Sequence, residues 1–210
     1  TTEIPFAAYE AFLAENREWV PENRERLEAD GLVDGAYLSE IETLRATPSL
    51  PVTGISAYAA EAFARWYTTL LPDGLVASLP TEAQWDFAYR VTGEPSATVF
   101  AADDVSAPRP VTQAGAGAGG VIGLLGNVWE WTADPFATYA HVYPGVYADP
   151  PPVRADGPTA GLGQAVVHRV VRGGGWATER VGFQGGDRGS LSPAWCSPFT
   201  GFRLVLTESR

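Results

Sequence analysis

The sequence contains no methionine and no lysine, and all 14 of its basic residues are arginines. It has one cysteine, Cys196, and two histidines, His141 and His168. A single cysteine excludes an internal disulfide framework and any zinc site built on cysteine pairs. Two separated histidines leave little for metal or acid–base chemistry. Apolar residues make up 45 % of the 210 residues. No apolar run approaches the ~18 residues that a membrane helix needs, so membrane insertion is not expected. Charged residues are 19 %, below the ~25 % of ordinary domains, and the apolar share argues against general disorder. Positive charge is scarce: 25 acidic residues stand against 14 basic ones, a net charge of −11. A net-negative body repels phosphate backbones, so nucleic acid is not an expected partner. The plain reading of the acidity is solubility. No charged-then-apolar leader opens the chain, and Thr1 to Pro5 read as the middle of a longer sequence. No cell compartment follows from these residues.

What is present begins with a helical third. Pro5 suits a first helical turn, and Phe6, Tyr9, Phe12 and Leu13 follow at helical spacing. Pro21 opens a second helix through Glu28, with Gly31 as its stop. Tyr37 to Leu44 predict a short third helix. Ser56 caps a fourth, whose face is Ala59, Phe63, Trp66 and Leu70. The turn Pro72-Asp73-Gly74 and the short apolar piece Leu75 to Leu79 follow. Thr81 with Gln84 three residues on is a capping box for a fifth helix, to about Arg90. From Gly93 to Gly120 glycine, proline, alanine and aspartate dominate, which predicts loop. The second half holds β-like runs at Asn127 to Thr132, Val166 to Arg172 and Phe202 to Leu206. The pattern predicts one α+β domain over residues 1–210, helical to about residue 92 and loop-rich with short strands after it.

Four segments are specific: Leu79-Pro80-Thr81-Glu82-Ala83-Gln84-Trp85, Gly126-Asn127-Val128-Trp129-Glu130-Trp131-Thr132, Arg169-Val170-Val171-Arg172-Gly173-Gly174-Gly175-Trp176, and Gly201-Phe202-Arg203-Leu204. In this order and spacing the chain resembles the formylglycine-generating enzyme family, also called the sulfatase-modifying-factor domain. The resemblance implies an α+β fold, the formylglycine-generating-enzyme type of the C-type lectin fold, loop-rich, with short antiparallel strands and a few helices. It also implies that the family's opening strand is missing. The tryptophans Trp129, Trp131 and Trp176 suit a core poor in regular structure, where each indole N–H needs a partner. Glu82 and Glu130 are expected to bond loop backbone or to pair with Arg90, Arg172 or Arg203.

The resemblance brings three functional branches. Formylglycine generation in that family is copper–thiolate oxygen chemistry and takes two cysteines after the Gly-Gly-Ser-Tyr/Trp element. The matching positions fall near Thr178 and Phe183, neither of which supplies a thiolate, and Cys196 reads as an isolated cysteine. No catalytic residue is expected. The second branch, the hercynine oxygenases, has a three-histidine iron site built partly on an extra helical domain, which His141 and His168 do not replace. A divergent oxidase or oxygenase with ligands from elsewhere is the alternative reading. The family often carries calcium, whose candidate ligands are the Gly126 and Val128 carbonyls and the Glu130 carboxylate. The upstream Asp or Asn ligand is replaced by Gly123, which leaves the site short of the six to eight oxygens calcium takes, and no cofactor is expected.

The third branch resembles the variable proteins of diversity-generating retroelements, which display a hypervariable ligand-binding face between the Gly-Gly-x-Trp and Gly-Phe-Arg elements. The matching window is residues 177–200. Arg188 and Pro193 fall at framework positions, and Gln184 replaces an expected arginine. The expected contact residues are Ala177, Thr178, Glu179, Arg180, Val181, Phe183, Asp187, Ser190, Leu191, Trp195, Ser197, Phe199 and Thr200. Aromatic and arginine side chains there suit the anchoring of a protein or other macromolecular ligand. The reading is therefore a non-catalytic binding domain with a variable surface at about 177–200.

Overall fold

A computed structural model describes residues 1–92, 99–101, 106–115, 117–136, 167–179 and 183–209. His141, Arg180 and Val181 lie outside the described residues.

The helices form where the apolar spacing puts them. Pro5, extended at φ −71°, leads into α1 (Phe6–Glu15), which buries Phe6, Tyr9, Phe12 and Leu13. A 3-10 turn at Pro21–Asn23 precedes α2 (Arg24–Ala29), and Gly31 turns the chain at φ +69°. The third helix starts later than its sequence suggests, as α3 (Ile41–Ala46). Leu38 is left-handed at φ +48°, so the chain before α3 turns instead of coiling. Ser56 Oγ accepts from the Ala59 N–H at 3.1 Å and caps α4 (Ala57–Thr68). Ala59 and Phe63 are fully buried, but Leu70 lies beyond the helix and is 56 % exposed. The expected apolar stripe thus ends one turn early. The capping box forms: the Gln84 N–H donates to Thr81 Oγ1 at 3.1 Å and the Thr81 N–H to Gln84 Oε1 at 2.8 Å. It opens α5 (Glu82–Thr92).

Two small sheets complete the fold. β1 (Leu75–Ser78) pairs antiparallel with β6 (Val205–Glu208), Leu75 opposite Glu208 and Ser78 opposite Val205. The second sheet has the order β4-β3-β2-β5. Its strands are β2 (Trp129–Pro135), β3 (Arg169–Arg172), β4 (Arg188–Leu191) and β5 (Thr200–Gly201). β3 runs antiparallel to β2 and β4; β5 runs parallel to β2. The opening residues lie between two other segments: the Ile4 N–H donates to the Phe202 carbonyl and the Val52 N–H to the Ile4 carbonyl, both at 2.9 Å.

The main core joins the helical part to this sheet. Tyr9 stacks on Phe63 at 5.8 Å, Phe63 meets Phe202 edge-on at 5.3 Å, and Trp131 and Val171 close the same cluster. A second cluster, Trp85, Phe100, Leu124 and Leu125, lies under the segment between the Gly-Gly-x-Trp and Gly-Phe-Arg elements, with Phe183 packed against it. No helix among the described residues is long and apolar enough to cross a membrane.

Candidate functional site

The window 177–200 follows β3 after the turn at residues 173–176. Gly173 and Gly174 both take positive φ, +99° and +73°, conformations that strain any residue with a Cβ. They turn the chain so that the Gly126 N–H donates to the Gly173 carbonyl and the Trp176 N–H to the Asn127 carbonyl, each at 2.8 Å. Thr178 Oγ1 accepts from Trp129 Nε1 at 3.1 Å and from the Gly175 N–H at 3.0 Å. Phe183 packs against Phe100 at 5.3 Å and edge-on against Trp129 at 5.8 Å. The two positions that match the resembled family's cysteines therefore hold a hydroxyl tied to loop groups and a ring in an apolar cluster.

An ionic frame holds the middle of the window. Glu82 sits in the first turn of α5, where its N–H donates to Asp134 Oδ2 at 2.5 Å. Arg188 grips both Glu82 oxygens, from Nε at 2.5 Å and from Nη2 at 2.7 Å. Arg172, fully buried, donates to Glu82 at 3.2 Å, to Asp86, and to the Gly185 and Gly186 carbonyls at 3.0 Å each. Its guanidinium lies 4.8 Å from the centre of the Trp85 ring. Two arginines thus tie the loop 185–188 to α5 through charge-assisted bonds. Arg90 is not a partner of Glu82; it lies 3.9 Å from Asp86 on the outer side of the helix. Burial raises the Asp134 carboxyl above its ordinary range, against the pull of the Glu82 N–H.

A second frame lies beneath the glycine turn. Arg203 donates to Glu130 twice, from Nε at 2.7 Å and from Nη2 at 2.6 Å. Nη2 also reaches the Ile122 carbonyl at 2.9 Å and the Gly123 carbonyl at 3.0 Å. Trp85 Nε1 donates to Glu130 Oε2 at 2.9 Å. Asn127 Nδ2 donates to Glu3 Oε1 at 3.0 Å, while Asn127 Oδ1 accepts from the Arg109 N–H at 2.8 Å. Glu3 is fully buried, and burial pushes its carboxyl up to about 8 although Arg203 pulls it down. Its Oε2 has no hydrogen-bond partner among the described residues. No sequence signal pointed to Glu3: its partners lie more than a hundred residues away.

The end of the window rests on the helical part. The Ala57 N–H donates to the Pro193 carbonyl at 2.9 Å, the Gly54 N–H to the Ser197 carbonyl at 2.8 Å, and the Cys196 N–H to Asp34 Oδ2 at 3.2 Å. Cys196 is buried, and burial raises its thiol to about 12, so it holds little thiolate. Above this footing Trp195 is 44 % exposed and Phe199 38 % exposed, with Phe199 against Trp176 at 5.2 Å. Ala177, Glu179 and Asp187 also face solvent. Ser197 and Thr200 do not: both are buried, and Ser197 Oγ accepts from the Phe199 N–H at 3.1 Å. Ser190 and Leu191 are half-buried in β4, where Ser190 Oγ lies 2.9 Å from His168 Nδ1. Trp195 and Phe199 are large, stiff and partly dry, which suits anchoring a ligand. Among the described residues no group of three His, Cys, Asp or Glu side chains is placed to hold a metal ion.

The chain is similar to several known proteins. The sulfatase-modifying factor enzyme 1-like domain matches residues 1–208. The hercynine oxygenase of Mycolicibacterium smegmatis is 32 % identical over 175 residues, covering 74 % of this chain and 37 % of its own length. That of Mycobacterium tuberculosis is 34 % identical over 171 residues, covering 74 % and 36 %. The chain thus spans little more than a third of these curated relatives. Among solved structures, CarF aligns with a TM-score of 0.63 at 17 % identity, over all of this chain and 85 % of that one. Treponema denticola variable protein 1 aligns with a TM-score of 0.56 at 22 % identity, over 77 % of this chain and 72 % of that one. Identities this low speak for the fold alone, which is the loop-rich α+β fold of the formylglycine-generating-enzyme type. With its four motifs in place and residues 1–208 matched, the chain belongs to the sulfatase-modifying factor enzyme 1-like domain family.

Proposed function

We propose that this domain is a non-catalytic binding module whose contact face is the exposed part of the window 177–200. The observation that carries the reading is the exposure of Trp195 and Phe199 above a loop whose backbone is fixed by Asp34, Gly54 and Ala57. Ala177, Glu179 and Asp187 extend the face along the chain. A rigid footing with exposed aromatic anchors lowers the ordering cost of binding. The ligand is a protein or another macromolecule, the kind of partner that exposed aromatic side chains anchor. The likeness to a variable protein supports a retroelement-diversified form of the same module. A reverse-transcriptase gene nearby, with a near-copy of the segment coding 177–200 that differs at adenines, is the observation that establishes that form.

A second reading rests on the hercynine oxygenase relatives. In it the chain is part of a divergent oxygenase whose iron ligands come from outside these residues. Elemental analysis of the protein purified at its natural length, together with any partner it retains, separates the two. The binding reading expects neither iron nor copper; one equivalent of either overturns it.

A further inference from the structure

We infer that the indole N–H of Trp176 is a hydrogen-bond donor kept for a main-chain carbonyl of a protein ligand, and that the Phe199 ring shields it until that ligand arrives. The inference rests on the binding reading above and adds one polar anchor to it. It starts from a contrast among the seven tryptophans. Four of them use the indole N–H within the protein: Trp66 on Glu15 at 2.9 Å, Trp85 on Glu130 at 2.9 Å, Trp129 on Thr178 at 3.1 Å and Trp131 on the Ile55 carbonyl at 3.1 Å. Trp176 Nε1 is buried too, yet no group among the described residues accepts from it. Buried N–H groups are paired as a rule, and leaving one unpaired opposes folding. A carbonyl that arrives with a ligand removes that penalty at the moment of binding.

The position suits this use. Trp176 stands at the head of the window 177–200, half-buried, with its backbone N–H fixed on the Asn127 carbonyl at 2.8 Å. Its ring meets that of the partly exposed Phe199 at 5.2 Å. The Phe199 backbone is pinned on both sides: its N–H donates to Ser197 Oγ at 3.1 Å, and its carbonyl accepts from the Trp129 N–H at 2.8 Å. Rotation of the Phe199 side chain therefore uncovers the indole without moving the loop. A fixed donor beside an aromatic anchor gives the contact a direction as well as an area. Charge selects the acceptor. The chain carries a net charge of −11, and Glu179 and Asp187 face solvent in the same window. A carboxylate or phosphate meets repulsion there, whereas a neutral peptide carbonyl does not. Any protein segment laid on Trp195 and Phe199 brings such carbonyls with it.

The test uses the whole chain with isotope-labelled nitrogen, each indole N–H signal being assigned through the labelled backbone. Two probes are titrated: N-acetyl-leucine N-methylamide, a blocked peptide with neutral carbonyls, and acetate, which also reports any pull from Arg180. The blocked peptide should move the Trp176 indole proton downfield until the shift saturates, and acetate should not move it. Movement with acetate alone overturns the choice of acceptor. If the peptide moves the Trp195 signal and not that of Trp176, the donor is overturned and the binding face stands. If it moves neither, the donor is overturned and the face is weakened with it. Deuterium exchange tests the shield. Phe199→Ala should speed exchange of the Trp176 indole proton by about tenfold or more, and an unchanged rate overturns the shielding. Melting tests the unpaired state. Trp129→Phe loses a bond to Thr178 and should melt several degrees below Trp176→Phe, which loses none. Equal losses overturn the proposal, since Trp176 would then already have a partner in the free protein. Where a variant does not fold, the wild-type titration decides alone.

Discussion

Arg188 and Glu82 form a bidentate pair across 106 residues of sequence, joining the edge strand of the larger sheet to the first turn of α5. Glu82 also receives Arg172, which holds the Gly185 and Gly186 carbonyls. Glu82, with Asp86 also on Arg172, therefore balances the buried Arg172 and the half-buried Arg188 and fixes the loop that leads into β4.

The first prediction concerns that carboxylate. Glu82→Ala removes the anion that Arg172 and Arg188 share while Arg172 keeps Asp86, and breaking a largely buried pair this way costs roughly 3 kcal/mol. Urea unfolding at pH 7 measures it. A loss within experimental error would show that the frame does not hold the loop.

The second concerns Gly126. It takes φ +78°, and a Cβ there would stand 2.5 Å from the Val99 carbonyl oxygen. Val99 also accepts from the Asn127 N–H at 2.9 Å, so the backbone has little room to yield. Gly126→Ala should cost about 2 kcal/mol or more from the conformation and the clash together. Unchanged unfolding would mean the two segments move apart freely.

The third concerns pH. Burial raises Glu3 from 4.5 to about 8. Between those values the folded chain keeps a proton that the unfolded chain has lost. The contribution of Glu3 to stability is therefore greatest below pH 4.5, falls as pH rises toward 8, and levels off above it. Glu3→Gln imitates the protonated side chain and keeps an acceptor for Asn127. It should gain stability over the wild type by ~1 kcal/mol or more at pH 8 and little at pH 4.5. An equal gain at both values would remove the titration from the account.

These sites differ in how far the sequence disclosed them. The capping box at Thr81 and Gln84 is local, so spacing alone was enough to place the start of α5. The pairing of Glu130 with Arg203 was among the expected ones because both sit in family motifs. β4 was not legible: Arg188-Gly189-Ser190-Leu191 has no β-branched residue, and its strand exists because Val170 and Arg172 pair with it. Phe183 illustrates the limit within the window. Its aromatic character suggested a contact residue, but a neighbouring Phe100 and Trp129 draw it against the second cluster. Trp195 and Phe199 have the same chemistry and remain partly exposed, because Asp34 and Gly54 hold the backbone of their loop outward. Side-chain type cannot decide between the two fates; the anchor points of the loop do.

The central claim is that the face and its footing are separate. It is tested most directly by unfolding a variant in which Ala177, Glu179, Asp187, Trp195 and Phe199 are replaced together by serine. Each faces solvent, while Thr178, Ser197, Thr200 and the arginine frame are left in place. The account expects a cooperative transition within ~1 kcal/mol of the wild type, the usual scale for scattered surface changes. Loss of cooperative folding, or a drop of several kcal/mol, would show that these side chains build the core and would contradict the binding face.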